Sequence, residues 1–257
     1  GTFIIDGSGI DTISVANTPL DAVIDLRSGM HSHLGEVSDY ITDANQLTIS
    51  HGSDIENVVS NNGNDKVTGN SLDNIIITNA GNDVIFAGDG SDFINSGSGA
   101  DQIDLSEEIE YRDTILLNHP SLELGFDTIY GFLQGAIGDI LDMGELMSSQ
   151  LELFPLVALG HAPVANFSDG ILRIVGEDVA TSSNVMQAFE KGGGADPLVI
   201  SNQANALIIS AESQATGVDQ CIFYAEGRQG EIDVVQLAVL KGNTLDIDQW
   251  HLDNFIV

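Results

Sequence analysis

From Ser60 the chain falls into nine-residue units: SNNGNDKVT, GNSLDNIII, TNAGNDVIF, AGDGSDFIN and SGSGADQID. The sixth place is Asp65, Asn74, Asp83, Asp92 and Asp101. The eighth is Val67, Ile76, Ile85, Ile94 and Ile103, and the fourth is Gly63, Leu72, Gly81, Gly90 and Gly99. The phase reaches back one unit to Glu56 and Val58. A fixed period of this kind builds a solenoid. Six polar residues turn, and three form a short strand whose middle apolar side chain faces inward. Two units close a coil of about 18 residues, and stacked strands lie about 4.8 Å apart. Successive aspartates then approach one another across neighbouring coils. Glycines let the turns reach positive φ and aim carbonyls inward.

An oxygen-rich turn of this sort suits Ca²⁺, which takes six to eight oxygens at about 2.4 Å. Without a cation the stacked carboxylates repel, so binding and folding are expected to be coupled. The competing reading is a Gly/Asp solenoid whose aspartates only cap turns. The charge balance agrees with a missing cation: 39 Asp+Glu against 7 Lys+Arg, a formal charge of −32. That charge also disfavours nucleic acid and anionic lipid as partners. Forty-two per cent hydrophobic content argues against disorder. The single Cys221 excludes an internal disulfide framework. No apolar stretch is long enough for a membrane-spanning helix. The opening residues Gly1 to Asp6 lack a basic start and a cleavage site, so they do not read as a secretory signal.

The repeat matches the G-G-x-G-x-D-x-U-x pattern of calcium-binding RTX proteins. With the lead-in Asp6 to Ser14, the segment Ser53 to Asp65, and Gly69 to Asn74, residues Asp6 to about Asp104 resemble the C-terminal domain of the serralysin family of secreted metalloproteases. The resemblance implies a calcium-loaded parallel β-roll with several ions. It implies ligands from carbonyls two and four and the aspartate of one unit. The rest come from carbonyls one and three and the aspartate two units on. Carried onto this chain, one site is Asn61, Gly63, Asp65, Thr78, Ala80 and Asp83. The next on that face is Asn79, Gly81, Asp83, Ser96, Ser98 and Asp101. The opposite face offers Asn70, Leu72, Asn74, Ala87, Asp89 and Asp92, weakened by Leu72 and Asn74. The last turn, Gly88, Gly90 and Asp92, meets only a degenerate unit in which Glu110 falls on register. A further ion in the family implies Asp6, Asp11, Asp54 and Glu56 here; an ordinary turn beside an exposed strand is the alternative.

No H-E-x-x-H, no G-x-S-x-G and no phosphate loop occurs, so the chain is not expected to be an enzyme. His31 and His33 share a face if their segment is a strand, and admit either a metal pair or a solvated loop. Glu107 and Glu108 are expected on a solvated face. Past Asp104, the segment Asp127 to Asp142 resembles that following the repeats in many type I secreted proteins. Ile129, Phe132, Ile137 and Leu141 are expected to anchor a strand pair that caps the solenoid. A helix is expected over Asn184 to Lys191, stopped by three glycines. Strands are expected at Ile171 to Val175, Leu198 to Ser201, Ala206 to Ser210, Gln220 to Tyr224 and Glu231 to Leu240. Arg173 in the first implies an edge or a pairing partner.

The end, Asp253 to Val257, resembles the uncleaved signal of type I substrates; a plain final strand is the alternative. On that resemblance Val257 is the native end and Gly1 a cut. The expected fold is all-β: a β-roll, then a mainly antiparallel cap region with one or two short helices. Its divisions are residues 1–56 (lead-in), 57–104 (roll) and 105–257 (cap and secretion region). The expected protein is a secreted, extracellular or surface-associated one whose partner is the type I secretion machinery. Missing upstream domains would meet any cell-surface ligand. The parent reads as an adhesin or S-layer protein, with a secreted metalloprotease, lipase or polysaccharide-modifying enzyme as the rival. A ligand-binding role of the post-repeat region is a third reading.

Overall fold

A computed structural model describes residues 1–117, 125–147, 152–153, 157–158, 166–167, 170–175, 199–200, 205–211, 217–228, 231–242 and 245–256. It divides into two compact units, Gly1–Leu116 and Leu117–Val257.

The first unit is built from strands of three or four residues: β1 (Thr2–Ile4), β2 (Thr12–Ser14), β3 (Ala22–Asp25), β4 (His31–Leu34), β5 (Gln46–Ile49), β6 (Asn57–Val59), β7 (Lys66–Thr68), β8 (Ile75–Ile77), β9 (Val84–Phe86), β10 (Phe93–Asn95), β11 (Gln102–Asp104) and β12 (Thr114–Leu116). Through the repeats, strands alternate between two sheets because each six-residue turn reverses the chain, whereas β3, β4 and β5 follow one another in one sheet. One sheet runs β1-β5-β4-β3-β7-β9-β11 and the other β2-β6-β8-β10-β12. The repeat strands pair in parallel at eighteen-residue spacing, Val67 with Ile85 and Ile85 with Ile103. On the second sheet Val58 pairs with Ile76 and Ile76 with Ile94. These middle residues are completely buried and form two facing columns of aliphatic side chains. Period-two alternation sends their neighbours outward, which is why in every repeat strand the middle residue is buried and the two beside it are half-buried or exposed. The lead-in also enters this stack: β2 pairs in parallel with β6, and β3 with β7. Antiparallel pairing appears only where β4 is inserted between β3 and β5.

The second unit contains β13 (Asp127–Tyr130), β14 (Ile140–Asp142), β15 (Glu152–Leu153), β16 (Val157–Ala158), β17 (Asn166–Phe167), β18 (Gly170–Val175), β19 (Val199–Ile200), β20 (Asn205–Ala211), β21 (Gln220–Arg228), β22 (Glu231–Lys241) and β23 (Phe255–Ile256). The expected strands at 171, 198, 206, 220 and 231 correspond to β18 to β22. The antiparallel part is the meander β20-β21-β22. Elsewhere among the described residues of this unit the pairing is parallel, as in β18 with β20 and β13 with β22. The long connection from β18 to β20 explains the first, since only a crossover can bring a strand back in the same direction. The antiparallel part expected after the roll is thus present as this meander, with parallel pairs beside it.

β20 is buried from Ala206 through Ala211, so both its faces are covered. Arg173 on β18 is not at an edge: β20 and β15 flank its strand, and its guanidinium donates to the Ile247 carbonyl at 3.1 Å. β13 and β14 do not pair with each other; β13 joins β22 and β14 joins β23. Ile129, Phe132 and Leu141 are buried, but Ile137 is 90% exposed. The tight turn in which Gly138 N–H donates to Gly135 throws Ile137 outward. Helix among the described residues is confined to the 3-10 turns Gly144–Leu146 and Leu252–Asn254. The helix expected over Asn184 to Lys191 lies outside the described residues. No helix among them is long and apolar enough to cross a membrane.

The last residues are built into this unit. Trp250 donates to Gln220 Oε1 at 2.6 Å, and its ring centroid lies 5.5 Å from Phe132 and 5.1 Å from Phe255. Asn254 is fully buried, donates to the Asp139 carbonyl at 2.7 Å, and accepts from Gly135 and His251 N–H at 3.1 Å each.

Candidate calcium site

The turns of the first unit carry two hydrogen-bonded ladders. In the first, each position-six side chain accepts from the backbone one coil earlier. Asp83 Oδ1 takes the Asp65 N–H at 2.7 Å, and Asp101 Oδ1 takes the Asp83 N–H at 2.8 Å. The ladder ends at Asp65, whose Oδ1 takes the Ala22 N–H at 2.7 Å. On the opposite face Asp92 Oδ1 takes the Asn74 N–H at 2.7 Å, and Asp113 Oδ1 takes the Asp92 N–H at 2.8 Å. Asp113 therefore succeeds Asp92, and Glu110, the residue on strict register, does not. A three-residue insertion lengthens this coil to 21, and the signal was Asp113-Thr114-Ile115, the D-x-U core of the repeat.

The second ladder was not anticipated. Position five accepts from the backbone one coil later: Asn64 Oδ1 from Asn82 N–H at 2.8 Å, Asp73 from Ser91 at 2.9 Å and Asn82 from Ala100 at 3.0 Å. Its only trace in sequence is Asn or Asp at the fifth place.

All position-six side chains are buried, with Asp65, Asn74, Asp83, Asp92, Asp101 and Asp113 at most 2% exposed. In each repeat aspartate one oxygen is held by the ladder. The other is satisfied in Asp65, which accepts from Ser60 Oγ and from Asn61 N–H at 3.2 Å. In Asp83 and Asp92, Oδ2 is buried with no hydrogen bond of ordinary geometry; the Thr78 hydroxyl lies beside the Asp83 carboxylate, but its one proton goes to the Ser96 carbonyl. A buried carboxylate oxygen without such a bond is costly, and a cation is the partner that removes the cost. Burial pushes the Asp83 carboxyl up to about 7, with the Asp101 and Asp65 charges adding to it. Burial likewise raises Asp92 to about 8, with Asp113, Glu107 and Asp73 contributing.

Carbonyls surround these carboxylates. A Cβ on Gly81 (φ 129°) would run into the Gly63 carbonyl, and one on Gly99 (φ 149°) into the Gly81 carbonyl. Glycine at position four therefore brings the carbonyls of successive coils against one another. The Asn79 carbonyl accepts from Ser98 N–H at 2.7 Å and that of Ser98 from Gly81 N–H at 3.0 Å, with Ala80 bridged to Ser98. Thr78 Oγ1 donates to the Ser96 carbonyl at 2.9 Å. The turns holding Asn61, Gly63, Asp65, Thr78, Ala80 and Asp83, and those holding Asn79, Gly81, Ser96, Ser98 and Asp101, are thus contiguous. These donors are all oxygens, two carboxylates per coil pair plus main-chain carbonyls, and they fit Ca²⁺. Among the described residues no three His, Cys, Asp or Glu side chains gather into a metal cluster. A one-coil repeat explains this, because it supplies carboxylates singly and must draw most ligands from the main chain.

On the Asn74 face, Asn74 Oδ1 accepts from Asn70 N–H at 2.9 Å, so the amide closes its own turn. Asp89 accepts from Glu108 N–H at 3.0 Å and lines a cavity of about 400 Å³ with Arg27, Asp54, Asn70 and Leu72. Of the four residues set at the lead-in, Asp6, Asp11 and Glu56 influence one another by hydrogen bonds and charge but do not form a metal-holding group. Asp11 N–H donates to Glu56 Oε2 at 2.7 Å, and Asp11 is raised by burial and then by the charge of Asp6, a hydrogen bond to it, and the Glu56 charge. Asp54 lies instead in the cavity with Arg27. Glu107 is half-buried and accepts from Tyr111 N–H at 2.7 Å; Glu108 is exposed.

The raised carboxyls set a pH response. Asp83 and Asp92 hold protons in the folded state at pH values where the unfolded chain, near 3.8, has released them. Their contribution to the metal-free fold is complete below that value and is lost as pH rises through about 7 to 8. In chelator the chain should therefore show more β signal by circular dichroism at pH 5 than at pH 8. The opposite order would mean that these carboxylates are solvated.

No curated protein matches the chain. Residues 68–103 match the family model of the RTX calcium-binding nonapeptide repeat, in four copies, so the coils within that span carry RTX calcium-binding repeats.

Proposed function

We propose that the chain is the calcium-triggered, non-enzymatic module of a large secreted surface protein of the adhesin or S-layer kind, and that it carries the signal for a type I exporter. The observation behind this reading is the pair of buried oxygens on Asp83 and Asp92 without a hydrogen bond of ordinary geometry, inside coils that match the calcium-binding repeat. A fold with uncompensated carboxylates at its centre is held open at low calcium and closes when calcium is abundant. That suits a protein that crosses an exporter unfolded and meets millimolar calcium outside. The ions would be held by the position-six aspartates and turn carbonyls: Asn61, Gly63, Asp65, Thr78, Ala80 and Asp83, then Asn79, Gly81, Asp83, Ser96, Ser98 and Asp101. Asp92 and Asp113 would act on the other face. The long region past Asp104 favours a surface protein over a secreted enzyme. β-sandwich repeats encoded ahead of Gly1 would support that parent, and an H-E-x-x-H domain there would overturn it.

Deleting Asp253 to Val257 tests the export role. It removes β23 and the Asn254 contacts, so the second unit should lose stability. The calcium response of the first unit should persist. In cells carrying a type I exporter the truncated chain should accumulate inside at unchanged synthesis. Undiminished export would overturn the role assigned to this segment.

A further inference from the structure

We propose that the outer face of β4 binds a divalent transition-metal ion of the imidazole-preferring class, Zn²⁺ or Cu²⁺, between His31 and His33. This site is independent of the calcium ladder and of the export reading. The sequence left the segment open between a strand and a solvated loop. It is a strand, clamped on both sides, with His33 paired to Val23 on β3 and to Gln46 on β5, and His31 paired to Thr48. Residues two apart on a strand point the same way, roughly 7 Å apart along the chain. Ser32 between them is buried and accepts the Asp25 N–H at 2.9 Å, which fixes the opposite face inward.

Both rings are tethered through the same nitrogen. His33 Nδ1 lies 2.9 Å from the Gly35 carbonyl oxygen. A carbonyl only accepts, so Nδ1 carries a proton, and in the neutral ring the lone pair is then on Nε2. His31 Nδ1 lies 2.7 Å from Thr48 Oγ1, a hydroxyl able to accept the same way. A second-shell acceptor on one ring nitrogen is what orients a ligating histidine and raises the basicity of the other. Two imidazoles on a rigid strand then present two Nε2 lone pairs to one side, with water completing a four-coordinate shell. Asp25 does not compete, because Arg27 holds its carboxylate through Nε at 2.9 Å and a terminal nitrogen at 2.7 Å. Nitrogen donors select Zn²⁺ or Cu²⁺ over Ca²⁺, which takes oxygens. The formal charge of −32 enriches any divalent cation at the surface.

The test is calorimetric titration of the full chain with Zn²⁺ in saturating Ca²⁺, which keeps the oxygen sites filled. One ion should bind, and His31→Gln or His33→Gln should weaken it at least about tenfold, while Thr48→Val, which removes only a tether, should weaken it less. His51→Gln, off this strand, should leave it unchanged. With Cu²⁺, electron paramagnetic resonance should show two nitrogen ligands, falling to one in either single variant. The calcium-induced β signal, retained in each variant, shows that the fold survives. Equal Zn²⁺ affinity in the wild type and both histidine variants would overturn the proposal, as would complete displacement of Zn²⁺ by Ca²⁺.

Discussion

In chelator the repeat block should lose most of its β signal by circular dichroism, and millimolar Ca²⁺ should restore it. The roll has little else to hold it. Its repeat strands are three residues long, each placing one fully buried aliphatic side chain in the core, as with Val67, Ile76, Ile85, Ile94 and Ile103. Against those columns stand the buried carboxylates of Asp65, Asp83, Asp92 and Asp101. An ion present at a hundred times its Kd adds about 2.7 kcal/mol to the folded state, so two or three ions rival the total stability of an ordinary domain, about 5–15 kcal/mol. Mg²⁺ should be much less effective, since it demands a small octahedral shell and gives up water reluctantly. Trp250, the only tryptophan, is buried in the second unit and reports that unit separately by fluorescence. An unchanged spectrum and melting temperature in chelator would remove calcium from the folding of this chain.

Asp83→Ala should be the most damaging single change in the ladder. Its Oδ1 holds the Asp65 N–H and its own N–H is held by Asp101, so it is tied to the coils on both sides. Alanine leaves the buried Asp65 N–H without its acceptor, at a cost of about 1–3 kcal/mol, and removes a carboxylate from the two adjoining ion positions proposed above. The calcium midpoint should move by about tenfold or more, the equivalent of about 1.4 kcal/mol. Asp83→Asn separates the two roles, because it keeps an acceptor for Asp65 but lacks the charge. It should hold the ladder in acid and still lose calcium affinity. Asn74→Ala should do little to the ions, since that side chain bonds within its own turn. Equal calorimetric losses for Asp83→Ala and Asn74→Ala would show that the two faces have been assigned wrongly.

What could be read from sequence followed the period. Inward residues at place eight and glycines at place four were legible because eighteen-residue spacing forces identical environments. Asp113 was missed because three extra residues break the count while leaving Asp-Thr-Ile intact. The position-five ladder was missed because Asn, Asp and Ser also populate ordinary turns. Ile137 was misread because its apolar character suggested an anchor, whereas the glycines at 135 and 138 make the turn that expels it. The β strands of the second unit were visible as apolar runs. Their directions were not, since strand direction depends on connections that carry no periodic signal.

The two ladders run in opposite senses along the stack, one accepting from the coil before and the other from the coil after. Every such bond in the regular coils joins residues eighteen apart, however many coils there are. The span of chain that must close to make each contact therefore stays constant as the stack lengthens. Folding speed falls with the mean separation of contacting residues, so a parallel β structure, ordinarily among the slowest to form, here has the separations of a far more local fold. Extra coils would lengthen such a stack without making any single closure harder.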